Sequence, residues 1–149
     1  ASEDIGLADP DALVQANAAK DAVHFLGYPE CDTALAQVVV YLATAPKSNR
    51  VYTAIKAARQ DVGQTRNEPV PLHIRNAPTK LMKELGYSEG YQYDHDAPDG
   101  FSGQSFLPDS LQGRVYYEPG RYGFEKDVRR RIDYWNRLRE NRRPPEESE

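Results

Sequence analysis

Val38-Val39-Val40-Tyr41-Leu42-Ala43-Thr44-Ala45-Pro46-Lys47-Ser48-Asn49 is an apolar run stopped by a proline and followed by a small polar turn. Leu35, Val38, Val39 and Leu42 recur at i, i+3, i+4 and i+7, the spacing of one helix face. Ala36, Val40 and Ala43 form a second apolar stripe, roughly 100° further round the axis. A helix with two apolar faces needs two partners. The bulkier stripe is assigned to the intramolecular core, so Val39→Glu is expected to unfold the domain. The smaller stripe of Ala36, Val40 and Ala43 suits close approach of another helix and is the candidate oligomer interface. Pro46 has no N–H to give and clashes with the preceding turn, and Ser48 is placed to cap the next helix.

Outward from that run, Asp9-Pro10 opens a first helix over roughly residues 10 to 26, which Gly27 closes. Its alanines favour close approach to the second helix, at about 30 to 45. A third, about 48 to 62, carries Val51, Ile55, Ala58 and Val62 on one stripe and stops at Gly63. Short turns between three consecutive helices imply antiparallel neighbours. Gln64 to Leu72 holds Pro69 and Pro71 and reads as an extended loop over the bundle. Asn76 or Thr79 opens a short helix closed by Gly86. From Tyr87 to Gly123 the helical period is lost among Gly, Pro, Tyr and Asp residues, with short strands expected at Gln104 to Leu107 and Val115 to Tyr117. Phe124, Val128, Ile132, Trp135 and Leu138 then face one side of a last helix reaching about Asn141.

The fold class that follows is mainly α: a helical bundle with an irregular Tyr/Gly/Pro-rich segment, closed by a C-terminal helix. The 149 residues, 39% of them hydrophobic, suffice for one compact domain. It divides into a junction at 1–9, a helical core at 10–85, the irregular segment at 86–123, the helix at 124–141 and a tail at 142–149. No apolar run reaches the roughly 20 residues that cross a bilayer, so no membrane partner is expected. The chain starts abruptly, without an initiator methionine, as a fragment would. The single Cys31 cannot make an internal disulfide, which fits a cytoplasmic protein. The net charge of -4 hides an asymmetry: Arg121 to Arg143 carries nine Lys/Arg against four Asp/Glu, and residues 1–120 ten against sixteen.

Five blocks, in order, resemble the C-terminal region of the RarA/MgsA family, AAA+ ATPases related to clamp loaders and to the Werner-helicase-interacting protein. They are Ala1-Ser2-Glu3-Asp4-Ile5-Gly6-Leu7-Ala8-Asp9-Pro10, the opening run through Pro46, Lys47, Ser48 and Asn49, His73-Ile74-Arg75-Asn76-Ala77-Pro78-Thr79-Lys80-Leu81-Met82, Tyr93-Asp94-His95-Asp96, and Tyr116-Tyr117-Glu118-Pro119 with Gly123-Phe124-Glu125-Lys126. In this resemblance Pro46, Lys47, Ser48, Asn49, Arg75, Asn76, Pro78 and Thr79 are structural motif residues. It implies a clamp-loader-collar-like domain that gathers subunits into a homotetramer. The parent would be a DNA-stimulated ATPase of replication-fork maintenance, recombination and repair, in the bacterial cytoplasm and nucleoid, with single-stranded-DNA-binding protein as a partner. ATP and magnesium would belong to a module outside this sequence.

The residues themselves offer little catalysis. A P-loop ends in Gly-Lys-Ser/Thr, and no glycine here precedes a lysine, so neither catalytic nor cofactor-binding residues are assigned and the chain alone is not expected to bind or hydrolyse ATP. Asp94-His95-Asp96 offers three ligand types, but adjacent side chains diverge, and local hydrogen bonding is the expected role; no metal is assigned. Gly100-Phe101-Ser102-Gly103 falls one residue short of a nucleophile elbow, leaving a hydrolase built on Ser102 and His95 as a distant alternative. The alternative of another class is a nucleic-acid-binding module on the basic helix, with Arg129, Arg130, Arg137 and Arg139 as candidate contacts. Against it, Glu125, Asp127 and Asp133 stand four residues before Arg129, Arg131 and Arg137, an order that stabilises a solvated helix by charge pairing.

Overall fold

The computed structural model describes residues 1–65 and 68–142. Among them five α-helices follow one another: α1 (Asp11–Leu26), α2 (Asp32–Thr44), α3 (Arg50–Gln64), α4 (Lys80–Glu84) and α5 (Glu125–Asn141). Single 3₁₀ turns punctuate the rest, and among the described residues there is no β-strand. None of the described helices is long and apolar enough to cross a membrane.

Local chemistry sets the helix ends. Asp9 takes the Asp11 N–H at 3.2 Å ahead of α1. Gly27, at φ +72°, lets the chain leave α1, and its N–H satisfies the Val23 carbonyl. The Ser48 hydroxyl accepts from the Arg50 N–H at 3.3 Å, and that of Thr79 from Met82 at 3.3 Å. Each of these side chains uses one of the N–H groups a helix start leaves unpaired.

The chain forms two compact units: Ala1–Val62 with Val115–Arg131, and Gly63–Arg114 with Ile132–Glu149. In the first, α1 packs on α2, and Ile5, Ala12 and Ala45 form a buried cluster with Ala1, Tyr41 and Leu42 against it. The Tyr41 hydroxyl donates to Asp9 at 2.8 Å, tying the two helices. Three turns meet beside this cluster. Ser48 N–H donates to the Asp4 carbonyl (2.8 Å), and Phe124 N–H donates to that of Ala8 (2.8 Å). Lys47 caps the end of α2 on the Leu42 carbonyl. Gly123 has φ +54°, and a Cβ there would fall on the Ala8 carbonyl, so only glycine fits.

In the second unit, the Phe101 and Trp135 rings lie 4.9 Å apart, with Tyr134 edge-on to Trp135. Arg75 donates from Nε to the Val70 carbonyl (2.6 Å) and lies over the Tyr87 ring. Its own carbonyl accepts from the Ser88 hydroxyl (2.6 Å).

Two expectations need correction. The strands placed at Gln104 to Leu107 and Val115 to Tyr117 are absent, because side chains occupy what a ladder would use. His73 Nε2 reaches the Ser105 carbonyl (2.9 Å), and the Gln112 amide reaches Leu107 (2.6 Å). Tyr116 and Tyr117 anchor their segment through hydroxyls on Asp61 (2.9 Å) and Glu125 (2.8 Å). Val39, assigned to the core, is 64% exposed. Three successive valines leave the inward direction of the helix open by one residue's rotation, and the half-buried side runs through Ala34, Leu35, Val38, Tyr41 and Leu42.

Candidate functional site

No residue of α2 is buried, although it is the most apolar helix in the sequence. The buried hydrophobic residues beneath it are mostly alanines, which give little volume to a core. Toward solvent α2 turns Ala36, Val39, Val40 and Ala43, with Thr33, Gln37 and Thr44 beside them, and Val40 is 62% exposed. At the far end of α1, Phe25 is 90% exposed, and Leu26 and Tyr28 stand out beside it. Isolated apolar side chains on a surface need no explanation, but a contiguous helix face does. Cys31, fully buried at the start of α2, is a packing residue.

Next to the 46–49 turn lies a buried acid. Glu125 is 0% exposed at the first position of α5. One carboxylate oxygen accepts from the Tyr117 hydroxyl at 2.8 Å, and the other has no hydrogen-bond partner. Burial and this bond hold the Tyr117 hydroxyl well above the usual phenol range. Gly120 leaves room for the acid here, since a Cβ would press on the Glu125 carboxylate and force it to shift. A pocket of about 290 Å³ opens between Lys47, Ser48, Asn49, Arg50, Gly120 and Arg121. Glu125 read as a solvated helix acid in the sequence; only its place behind Tyr-Tyr-Glu-Pro-Gly could have hinted at burial.

The candidate DNA contacts are largely engaged within the chain. Arg129 donates to the carbonyls of Pro119 and Gly120, and Arg130 pairs with Asp127 at 3.1 Å. Arg139 donates to Asn136 (2.9 Å) and lies over the Phe101 ring, whereas Arg137 is exposed. Arg143 and the tail behind it lie outside the described residues.

In the second unit, Thr79 and Arg75 take the roles already described, and Asn76 and Pro78 are exposed between them. Asp94 accepts the Ser102 N–H at 2.8 Å, and the Ser102 hydroxyl joins it in holding the carboxyl below its usual range. Ser102 is thus turned to Asp94, while His95 lies against the Tyr93 ring at 4.9 Å. Among the described residues no three His, Cys, Asp or Glu side chains come together to hold an ion.

Residues 1–136 match the family model described as the C terminal of the MgsA AAA+ ATPase. The chain is 48% identical over 149 residues to replication-associated recombination protein A of Coxiella burnetii, covering 99% of this chain and 34% of that protein. It is 47% identical over 129 residues to the protein of that name from Escherichia coli, covering 86% and 29%. To the ATPase WRNIP1 of Dictyostelium discoideum it is 47% identical over 119 residues, covering 79% and 14%. The chain therefore spans about a third or less of the length of these relatives.

Proposed function

We propose, since the chain belongs to the MgsA AAA+ ATPase C-terminal family, that it is the part which assembles such an ATPase into a homotetramer. The observation that carries this reading is the apolar helix α2 with no buried residue and an outward face of Ala36, Val39, Val40 and Ala43. Small residues flanking valines let a second helix approach closely, and covering that face removes apolar surface from water. The occupant is a second copy of the chain.

In the full protein, ATP and magnesium would be held by a separate AAA+ module, and this domain would fix how those modules are spaced. Its work would be DNA-dependent, at replication forks and in recombination and repair, in the bacterial cytoplasm and nucleoid. The names of the relatives support the replication and recombination setting. Single-stranded-DNA-binding protein is the proposed protein partner. Mass in solution by light scattering tests the assembly: a discrete species of four chains is expected, and a monomer at micromolar concentration would refute it.

A further inference from the structure

A cleft of about 750 Å³ in the second unit is lined by Tyr91, Tyr93, Asp96, Ser102, Gln104, Arg139 and Arg142, among others. Nothing in its neighbourhood reads as catalytic, but its chemistry is specific. Arg139 and Arg142 lie over the Phe101 ring at 5.5 and 5.9 Å. Arg139 gives a hydrogen bond to Asn136; Arg142 donates to the Pro98 carbonyl (2.6 Å) and Asp99 (3.4 Å). A guanidinium has five N–H donors, so both retain donors for an anion. Tyr91 and Tyr93 are 50% and 53% exposed, the latter backed by His95.

The wall is ordered before any ligand arrives. The Gln104 amide donates to the Gly90 carbonyl (2.7 Å) and accepts the Gln92 N–H (2.9 Å), and the Ser102 N–H closes on Asp94. Such a loop loses little freedom on binding.

We infer that this cleft holds one unstacked nucleotide, its phosphate on Arg139 and Arg142 and its base against Tyr91 and Tyr93. The inference rests on the reading above for the source of the ligand, a single strand of DNA, but not for its chemistry. Asp96 favours a nucleotide over an acidic peptide, because a carboxylate in the cleft accepts from the amino group of a base, a donor that the acids of a peptide lack. A duplex is disfavoured because its base faces are already stacked.

The test uses the whole chain and a fluorescein-labelled single strand of about 20 nucleotides, read by anisotropy at low salt. The Tyr91→Ala/Tyr93→Ala variant should bind about tenfold more weakly, with circular dichroism and Trp135 emission unchanged, since stacking contributes that much per base. Arg130→Gln/Arg137→Gln, on the exposed part of the helix, should bind nearly as the parent sequence does. Equal binding by the tyrosine variant, equal loss in the arginine variant, preference for duplex or displacement by an oligo-aspartate peptide would each overturn the inference. A mononucleotide that binds as tightly as the strand would uphold the pocket and assign it to a free nucleotide. Should the tyrosine variant unfold, photocrosslinking of a bromouracil-substituted strand to the unaltered chain decides: a crosslink within residues 91–105 supports the site, and one mapped elsewhere refutes it. Light scattering is independent of all these outcomes, so loss of the tetramer and loss of the pocket are separately visible.

Discussion

Replacing Val40 by Glu places a carboxylate in the middle of the outward face of α2. Burying a valine fully contributes about 1.5–3 kcal/mol. With 62% of Val40 exposed in the single chain, roughly 1–2 kcal/mol per copy remains to be gained on assembly. The variant loses that and must also desolvate an unpaired carboxylate at each interface, which costs several kcal/mol more. A combined penalty of about 5 kcal/mol weakens association by three to four decades, at about 1.4 kcal/mol per decade. A micromolar tetramer should therefore become monomeric, while helical circular dichroism is retained because the side chain points to water in the single chain. Val39→Glu should behave alike. A Val40→Glu chain that stays tetrameric by light scattering would show that the interface lies elsewhere; one that unfolds would place Val40 in the core.

Tyr117→Phe removes the hydroxyl that Glu125 accepts, leaving the whole buried carboxylate unpartnered. Denaturation should show a loss of about 1–3 kcal/mol, and an unchanged midpoint would mean that Glu125 is satisfied in another way. Gly123→Ala should cost more than an ordinary glycine replacement, because it combines φ +54° with a collision at the Ala8 carbonyl; a melting temperature equal to that of the unaltered chain would contradict this. Tyr41, donating to Asp9, has its pKa raised from 10.0 to about 12. Between those values the unfolded chain releases the proton first, so stability present below pH 10 falls as pH rises through the window, in the same direction as for Tyr117. Urea midpoints measured against pH should decline there, and Tyr41→Phe should flatten the decline; an unaltered slope would refute the assignment.

Three of the helices were legible from a chemical signal at an end: Asp9 and Gly27 for α1, Ser48 for α3 and Thr79 for α4. These act within a few residues of chain, so sequence carries them. Val39 and Glu125 were not legible, for different reasons. In Val38-Val39-Val40 the apolar pattern does not say which residue faces in; what decides is the packing against α1, which local periodicity does not carry. For Glu125 the i, i+4 order with Arg129 mimicked a solvent-facing pair. Arg129 instead satisfies the carbonyls of Pro119 and Gly120, in a turn whose path cannot be read from charge spacing. The missing strands share that cause, since alternation of apolar residues specifies an extended chain but not a neighbour to pair with.

The excess of positive charge near the C terminus has a consequence for the candidate cleft. Arg129 is held by backbone carbonyls, Arg130 by Asp127, and Arg131 lies over Phe124. These arginines organise the chain itself, and a strand that drew on them would have to displace the contacts they already make. Net charge therefore overstates what α5 offers to phosphate, and recognition must come from shape. Arg139 and Arg142 differ from these three in that they line a cleft with Tyr91 and Tyr93, and the contacts fixing them leave N–H donors over. If nucleic acid binds this domain there, its salt dependence should correspond to one or two phosphates rather than to the six Arg side chains between positions 129 and 142.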